Sequence, residues 1–94
     1  MRFALDPAKD AANRLKHGVA LSFGERIFDD QDAQFMPTVR TEDEEERFKV
    51  VGLVDGKLWT AVHVERDSVI RLISVRRSNE REQRDYDSNS GGPE

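Results

Sequence analysis

The sequence predicts an α+β fold with two N-terminal helices, an antiparallel sheet meander and a C-terminal helix. Three observations carry this prediction: helix start and stop signals between residues 6 and 28, a change to strand periodicity from Arg47, and a polar helical pattern after residue 78. A chain of 94 residues is enough for one domain with one modest core. We expect that domain to span residues 1–87, followed by a disordered tail at residues 88–94.

The chain begins with a short segment, residues 1–5, that predicts an edge strand. Asp6 then has the character of an N-cap, with Pro7 at the first helical position. Gly18, directly after two cationic residues, predicts the end of this helix. The small and apolar residues of the helix recur at helical spacing and predict its packing face: Ala8, Ala11, Ala12 and Leu15.

A second short helix is predicted to run to Phe28, because Ser22 and Glu25 have the spacing of a capping box. Residues 35–40 are ambiguous and favour a strand interrupted at Pro37. Residues 41–46 form an acidic loop. Its five consecutive acids, residues 42–46, suit either a weak divalent-cation site or a solvated loop.

Three strands follow. Residues 48–54 and 58–64 flank Asp55-Gly56, which predicts a hairpin with a type I′ turn. A third strand, residues 69–76, comes after a turn at Asp67-Ser68. The last helix is predicted from Ser78 to about Tyr86, with Ser78 or Asn79 as its cap.

The two turns predict which residues share a face of the sheet. They place Phe48 opposite His63 and Trp59 opposite Arg76. One face should take the N-terminal helices: Val51, Leu53, Leu58, Val62, Val64, Ile73 and Val75. The other face, with Trp59, His63, Ser74 and Arg76, is mixed, and we predict it as the ligand surface, shared by substrate and partner. A slip of one residue reverses this assignment.

Composition excludes several classes of protein. The absence of cysteine excludes disulfides, thiolate zinc sites and a cysteine nucleophile. No apolar run approaches a membrane span and the start lacks a signal-peptide pattern, so a cytoplasmic protein without membrane association is expected. Neither a glycine-rich phosphate loop nor a nucleophile elbow is present. His17 and His63 stand in no metal-ligand spacing, so neither a metal nor a cofactor is predicted.

The charge is uneven along the chain. The net charge is −4, yet residues 66–84 contain six arginines against three acids, a local +3. Such a distribution excludes a uniform nucleic-acid-binding coat but allows one basic patch. Chemistry on RNA needs only groups that remove the 2′-hydroxyl proton, stabilise the phosphorane and protonate the leaving oxygen. Lysine, histidine and arginine can do this without a metal.

Several segments resemble the BrnT family of type II toxins. They are Asp6-Pro7-Ala8-Lys9, Asn13-Arg14-Leu15-Lys16-His17-Gly18-Val19, Ser22-Phe23, Glu46-Arg47, Gly52, Arg71-Leu72-Ile73-Ser74-Val75-Arg76, Glu82 and Tyr86. The resemblance covers residues 3–86. The sequence departs from the family pattern at Val75 and Ser78, where alanine is usual, and at Leu5, where an aromatic residue is usual.

The resemblance implies a small ribonuclease with a RelE-like fold that inhibits translation by cleaving RNA. It further implies neutralisation by a BrnA-like antitoxin whose ribbon-helix-helix domain binds operator DNA, so that the toxin meets this DNA only through its partner. On this basis Lys16, His17, Arg47 and Arg76 are the predicted catalytic residues. Predicted RNA contacts are Arg66, Arg77 and Trp59.

Each of these residues also has a purely structural interpretation. Lys16 and His17 stabilise a helix C-terminus through its dipole, and Asn13 either orients the imidazole or is a surface residue. A salt bridge would explain Arg47, and a core position would explain Trp59. The acidic balance therefore keeps a second hypothesis open: a catalytically inactive protein-binding module of the same fold.

Overall fold

The computed structural model describes residues 2–38 and 46–89. The elements within them are the following, in chain order: β1 (Arg2–Leu5), α1 (Pro7–His17), a 3-10 turn (Leu21–Phe23) continuous with α2 (Gly24–Ile27), β2 (Gln34–Pro37), β3 (Phe48–Val54), β4 (Lys57–Arg66), β5 (Val69–Arg77) and α3 (Glu80–Asn89). The predicted α+β class is confirmed. Arg40 and most of the predicted acidic loop lie outside the described residues, as do residues 90–94.

The strands form one mixed sheet in the order β1-β5-β4-β3-β2. Strand β1 pairs parallel with residues 69–72 of β5, and every other neighbouring pair is antiparallel. The predicted edge strand at the start of the chain is thus confirmed. Because β1 is short, the second half of β5 has no strand beside it on that edge.

The two ends of α1 agree with the sequence. The backbone N–H of Ala8 donates to the Asp6 carboxylate at 2.9 Å, and Pro7 occupies the first turn. Gly18 ends the helix in the left-handed conformation, with φ of 79°.

The predicted packing face of α1 is wrong. The alanines of that face are exposed, and Leu15 is 91% exposed. The buried residue of α1 is Asn13, because the helix lies against the uncovered half of β5 and meets its backbone. A polar amide satisfies that backbone, which an alanine face could not do.

The β3–β4 hairpin has the predicted register, including Phe48 opposite His63 and Gly52 opposite Trp59. The turn at Asp67-Ser68 is also confirmed, since Arg66 pairs with Val69. Between these points, however, β5 contains a β-bulge.

At the bulge, Val62 pairs with Ser74 and His63 pairs with Leu72, which leaves Ile73 without a partner on β4. The extra residue shifts the rest of β5 by one position. Trp59 therefore lies opposite Arg77, and the predicted pairing of Trp59 with Arg76 is wrong.

The core lies on the sheet face of Trp59 and His63, so the predicted packing of the N-terminal helices on the opposite face is wrong. Ser74 and Arg76 do not share the face of Trp59 and His63, because the bulge turns them to the other side. The core residues come from the face of Trp59 and His63 and from the N-terminal helices: Leu21, Ile27, Val50, Val54, Ala61, Ile70, Leu72 and Val75. Gly52 permits the close approach, because a Cβ there would lie 2.7 Å from the Ile27 carbonyl oxygen. The opposite face takes α3 instead.

The two later helices begin differently. No side chain caps the 3-10 turn or α2, so the predicted capping box at Ser22 and Glu25 is not formed. At α3, Asn79 and Glu82 form a reciprocal capping box at 2.8 and 2.9 Å, which confirms Asn79 as a cap. Ser88 belongs to this helix. None of the helices within the described ranges combines the length and the apolar character needed to cross a bilayer.

Candidate active site

One buried carboxylate organises the sheet face beneath α3. Glu82 is 1% exposed and accepts hydrogen bonds from both terminal nitrogens of Arg76, at 2.9 and 2.8 Å. It also accepts from Lys49 Nζ at 3.0 Å, Thr60 Oγ1 at 2.9 Å and the Asn79 N–H at 2.9 Å. Burial alone raises the pKa of this carboxyl, but these donors outweigh burial and lower the pKa to about 2. Glu82 is therefore ionised at neutral pH.

Strand alternation brings these partners to one face. Thr60 alternates with buried Ala61, and Arg76 alternates with buried Val75. Ser74 precedes Arg76 by two residues and so lies on the same face. Lys49 is paired with Val62, which in turn is paired with Ser74.

Hydrogen bonds hold the Arg76 guanidinium in place but use only part of its N–H donors. Its bonds to Glu82 raise the pKa of Arg76, and Nη1 also donates to the Arg77 carbonyl at 3.2 Å. Nε donates to no atom of residues 2–38 or 46–89. The side chain is 30% exposed, so one edge of a positioned guanidinium can still bind an anion.

An open cavity of about 170 Å³ lies between α1 and the uncovered half of β5. Lys16 and His17 line it together, with Lys9 and Ser74. Within the described residues Lys9, Lys16 and His17 form no ion pair. Because Ser74 belongs both to this cavity and to the face of Arg76, the cavity adjoins the Arg76–Glu82 pair.

Asn13 has neither of the two roles considered from the sequence. Its side-chain amide donates to the Val75 and Val19 carbonyls, both at 2.9 Å, and accepts from the Val75 N–H at 3.0 Å. It is 5% exposed. Asn13 thus fixes α1 against β5 and positions Lys16 and His17 beside Ser74.

Arg47 is farther from this group. It is half-buried before β3, and its carbonyl accepts from the backbone N–H of Thr38 at 3.0 Å. Lys49 follows it by two residues and reaches Glu82. In the register, Arg47 comes directly before the Phe48–His63 pair. It therefore lies farther along the sheet, away from the Thr60–Arg76 pair.

The predicted RNA contacts lie at two other places. Arg77 stacks on Trp59, 5.5 Å from the ring centroid, and Trp59 packs edge-on against Phe23 at 4.6 Å. Arg66 is exposed at the end of β4. Trp59 and Arg77 lie on the core side of the sheet, away from the Lys16–His17 cavity.

Sequence reasoning missed Lys49 and the role of Glu82. The spacing of Asn79 and Glu82 was a usable capping signal, but nothing local indicated that Glu82 would also bind Arg76. In the part of the chain that the structure describes, no group of three or more potential metal-ligating side chains occurs.

The profile of a known family, described as "Ribonuclease toxin, BrnT, of type II toxin-antitoxin system", matches residues 5–82. The chain belongs to this family. The BrnT match includes α1, strands β2 to β5 and Glu82, and so covers both parts of the candidate site. Membership implies a ribonuclease toxin with an antitoxin partner. Comparison with curated proteins gives no significant match.

Proposed function

We propose that this BrnT-family chain is a metal-independent endoribonuclease that acts in the cytoplasm and inhibits translation. The observation that carries the proposal is the cavity that unites Lys16 and His17 and adjoins Arg76 through Ser74. These side chains supply a proton-transfer group and phosphate ligands within one surface region. They need no metal for either task.

The proposed reaction uses the nucleophile that RNA itself contains. The 2′-hydroxyl loses its proton to a base and attacks the adjacent phosphorus, and the bond from phosphorus to the 5′-oxygen breaks. A proton supplied to that oxygen completes the step, giving a 2′,3′-cyclic phosphate and a 5′-hydroxyl. His17 is the proposed acid or base.

Cations stabilise the charge that develops on the phosphorane. Arg76 presents its free edge to a phosphate oxygen while Glu82 holds the other edge. Lys16 contributes a second positive charge from the cavity. We assign Arg47 to a neighbouring phosphate, and Arg66, Arg77 and Trp59 to RNA outside the reacting centre.

We assign the partner as a BrnA-like antitoxin with a ribbon-helix-helix domain, which alone would contact operator DNA. The arrangement of helices on one face of an antiparallel meander, with the C-terminal helix on the other, supports a RelE-like classification of the fold.

The direct test is cleavage of end-labelled RNA by the purified protein in the presence of EDTA. We expect His17→Ala to lower the rate at least 10²-fold, about the usual contribution of general acid–base catalysis. Lys16→Ala and Arg76→Lys should also slow cleavage. Lys57→Ala is the matched control, because Lys57 is an exposed lysine at the remote hairpin turn.

Full activity of folded His17→Ala and Arg76→Ala would remove the catalytic assignment. Product ends other than cyclic phosphate and 5′-hydroxyl would exclude the proposed reaction.

A second candidate is a catalytically inactive protein-binding module. The net charge of −4 and the engagement of Arg76 by Glu82 favour it. Expression in growing cells discriminates between the two functions, because a toxin should stop translation within minutes and a binding module should not.

A further inference from the structure

A second cavity, of about 310 Å³, lies on the other face of the sheet, near the end where β4 turns into β5. Its walls include three phenyl rings, those of Phe28, Phe35 and Phe48, together with His63 and Glu65. Phe28 and Phe35 are 5.7 Å apart between ring centroids. The proposed reaction uses none of these residues.

His63 gives this cavity an unused polar group. The residue is 4% exposed, and its Nδ1 has no hydrogen-bond partner within the described residues. Its ring packs edge-on against Phe28 at 5.1 Å and lies 6.1 Å from Phe48. Burial lowers the pKa of His63 against the opposing effects of the Glu65 carboxylate and of the Ala61 backbone. A buried polar nitrogen without a partner is uncommon in folded proteins, and the His63 ring that bears it lines the cavity.

The mouth of the cavity is open, and its lining includes one carboxylate, that of Glu65. Phe35 is 57% exposed on the edge strand β2, so an aromatic surface faces solvent. Glu65 is exposed and forms no ion pair with residues 2–38 or 46–89. A carboxylate, a buried imidazole and aromatic faces all favour a cation and disfavour the phosphates of RNA.

We propose that this aromatic cavity binds an arginine side chain of the antitoxin, which rests on the proposed assignment of that partner. A guanidinium is planar and can stack on phenyl rings while it donates to the Glu65 carboxylate. The charge of this chain supports a cationic occupant. Its net charge is −4, and the cavity lining contains the exposed carboxylate of Glu65. The cavity would be an anchoring pocket at the centre of an interface.

The first test titrates the protein with N-acetyl-arginine amide and observes the His63 ring by NMR. N-acetyl-citrulline amide is the matched probe, because it has nearly the same shape without the charge. We expect the arginine probe to shift the His63 signals and to bind at least fivefold more tightly than the citrulline probe. Equal binding of both probes, or no shift with either, would overturn the proposal. A shift with guanosine 5′-monophosphate but not with the arginine probe would overturn it in favour of a nucleobase pocket.

The second test measures the affinity of purified antitoxin for charge-reversed variants. Glu65→Lys should weaken binding at least tenfold. Glu25→Lys is the control, because Glu25 is an exposed glutamate on α2, outside the cavity lining. Antitoxin binding to Glu65→Lys at the affinity of the unchanged chain would contradict the proposal. Neither test measures RNA cleavage. A failure of the ribonuclease assignment is therefore detected separately, by the cleavage assay.

Discussion

The side-chain amide of Asn13 pairs with the backbone of Val75 as a neighbouring strand would. It accepts from the Val75 N–H at 3.0 Å and donates to the Val75 carbonyl at 2.9 Å. A helix residue thus replaces the strand partner that β1 does not provide beyond Leu72. The same contact fixes the end of α1 that bears Lys16 and His17.

We expect Asn13→Ala to lower the free energy of unfolding by about 2–4 kcal/mol, because it leaves a buried N–H and a buried C=O of Val75 without partners. Urea denaturation measures this change. The control is Gln31→Ala, which removes an exposed amide and should change stability by less than about 0.5 kcal/mol. Equal stability of the two variants would show that the Asn13–Val75 pair contributes little.

Acid should remove the contribution of Glu82 to stability. Its folded-state pKa of about 2 lies below the ordinary value of 4.5, so the unfolded chain takes up this proton first as the pH falls. The contribution, on the order of 3 kcal/mol, is present above pH 4.5 and is lost as the pH falls toward 2.

Glu82→Gln tests this assignment. The variant should be less stable at pH 7, because Arg76 and Lys49 lose their buried counter-charge. Its free energy of unfolding should also depend less on pH than that of the unchanged chain below pH 4.5. The same pH dependence in both proteins would show that another group causes the acid effect.

Gly52 should not tolerate a methyl group. Its Cβ would lie 2.7 Å from the Ile27 carbonyl oxygen and 2.9 Å from Ile27 Cγ2, so α2 would have to move. We expect Gly52→Ala to lower the melting temperature, with a cost of about 1–3 kcal/mol. Gly56→Asn should cost less, because nothing lies near Gly56 and asparagine tolerates its φ of 81°. A larger loss at Gly56 than at Gly52 would contradict this packing.

Leu15→Ser should leave stability within about 0.5 kcal/mol of the unchanged chain, because Leu15 is 91% exposed. Thermal unfolding followed by circular dichroism measures the difference. A loss of several kcal/mol would mean that the apolar face of α1 is buried in solution.

Local signals predicted most elements correctly. The Asp6 cap, the Gly18 stop and the Asp55-Gly56 turn are each decided by backbone preferences of a few neighbouring residues. The common location of Lys16 and His17 was also predictable, because both residues belong to the last turn of one helix.

Two predictions were wrong because contacts between residues distant in the sequence determine the structure there. The bulge at Ile73 has no strong sequence signature, yet it puts Val75 on the same face as Ala61 and turns Arg76 toward α3. The packing face of α1 was predicted wrongly because helical periodicity considers only apolar residues. The uncovered edge of β5 instead needs hydrogen-bond partners, which the amide of Asn13 provides. The ion pair between Arg76 and Glu82 depends on the bulge, which puts Arg76 on the face covered by α3.

Helix α3 is attached to the domain by polar rather than apolar anchors. Among residues 80–88 of this helix the buried side chains are those of Glu82 and Tyr86, and the Tyr86 hydroxyl donates to Asp30 at 2.6 Å. Burial raises the pKa of Asp30, but its hydrogen-bond donors outweigh this effect, so the pKa is lowered. Protonation therefore weakens both anchors, whereas the aliphatic core does not titrate. In acid, we expect α3 to open as a separate cooperative unit before the sheet, with early loss of hydrogen-exchange protection confined to residues 80–89.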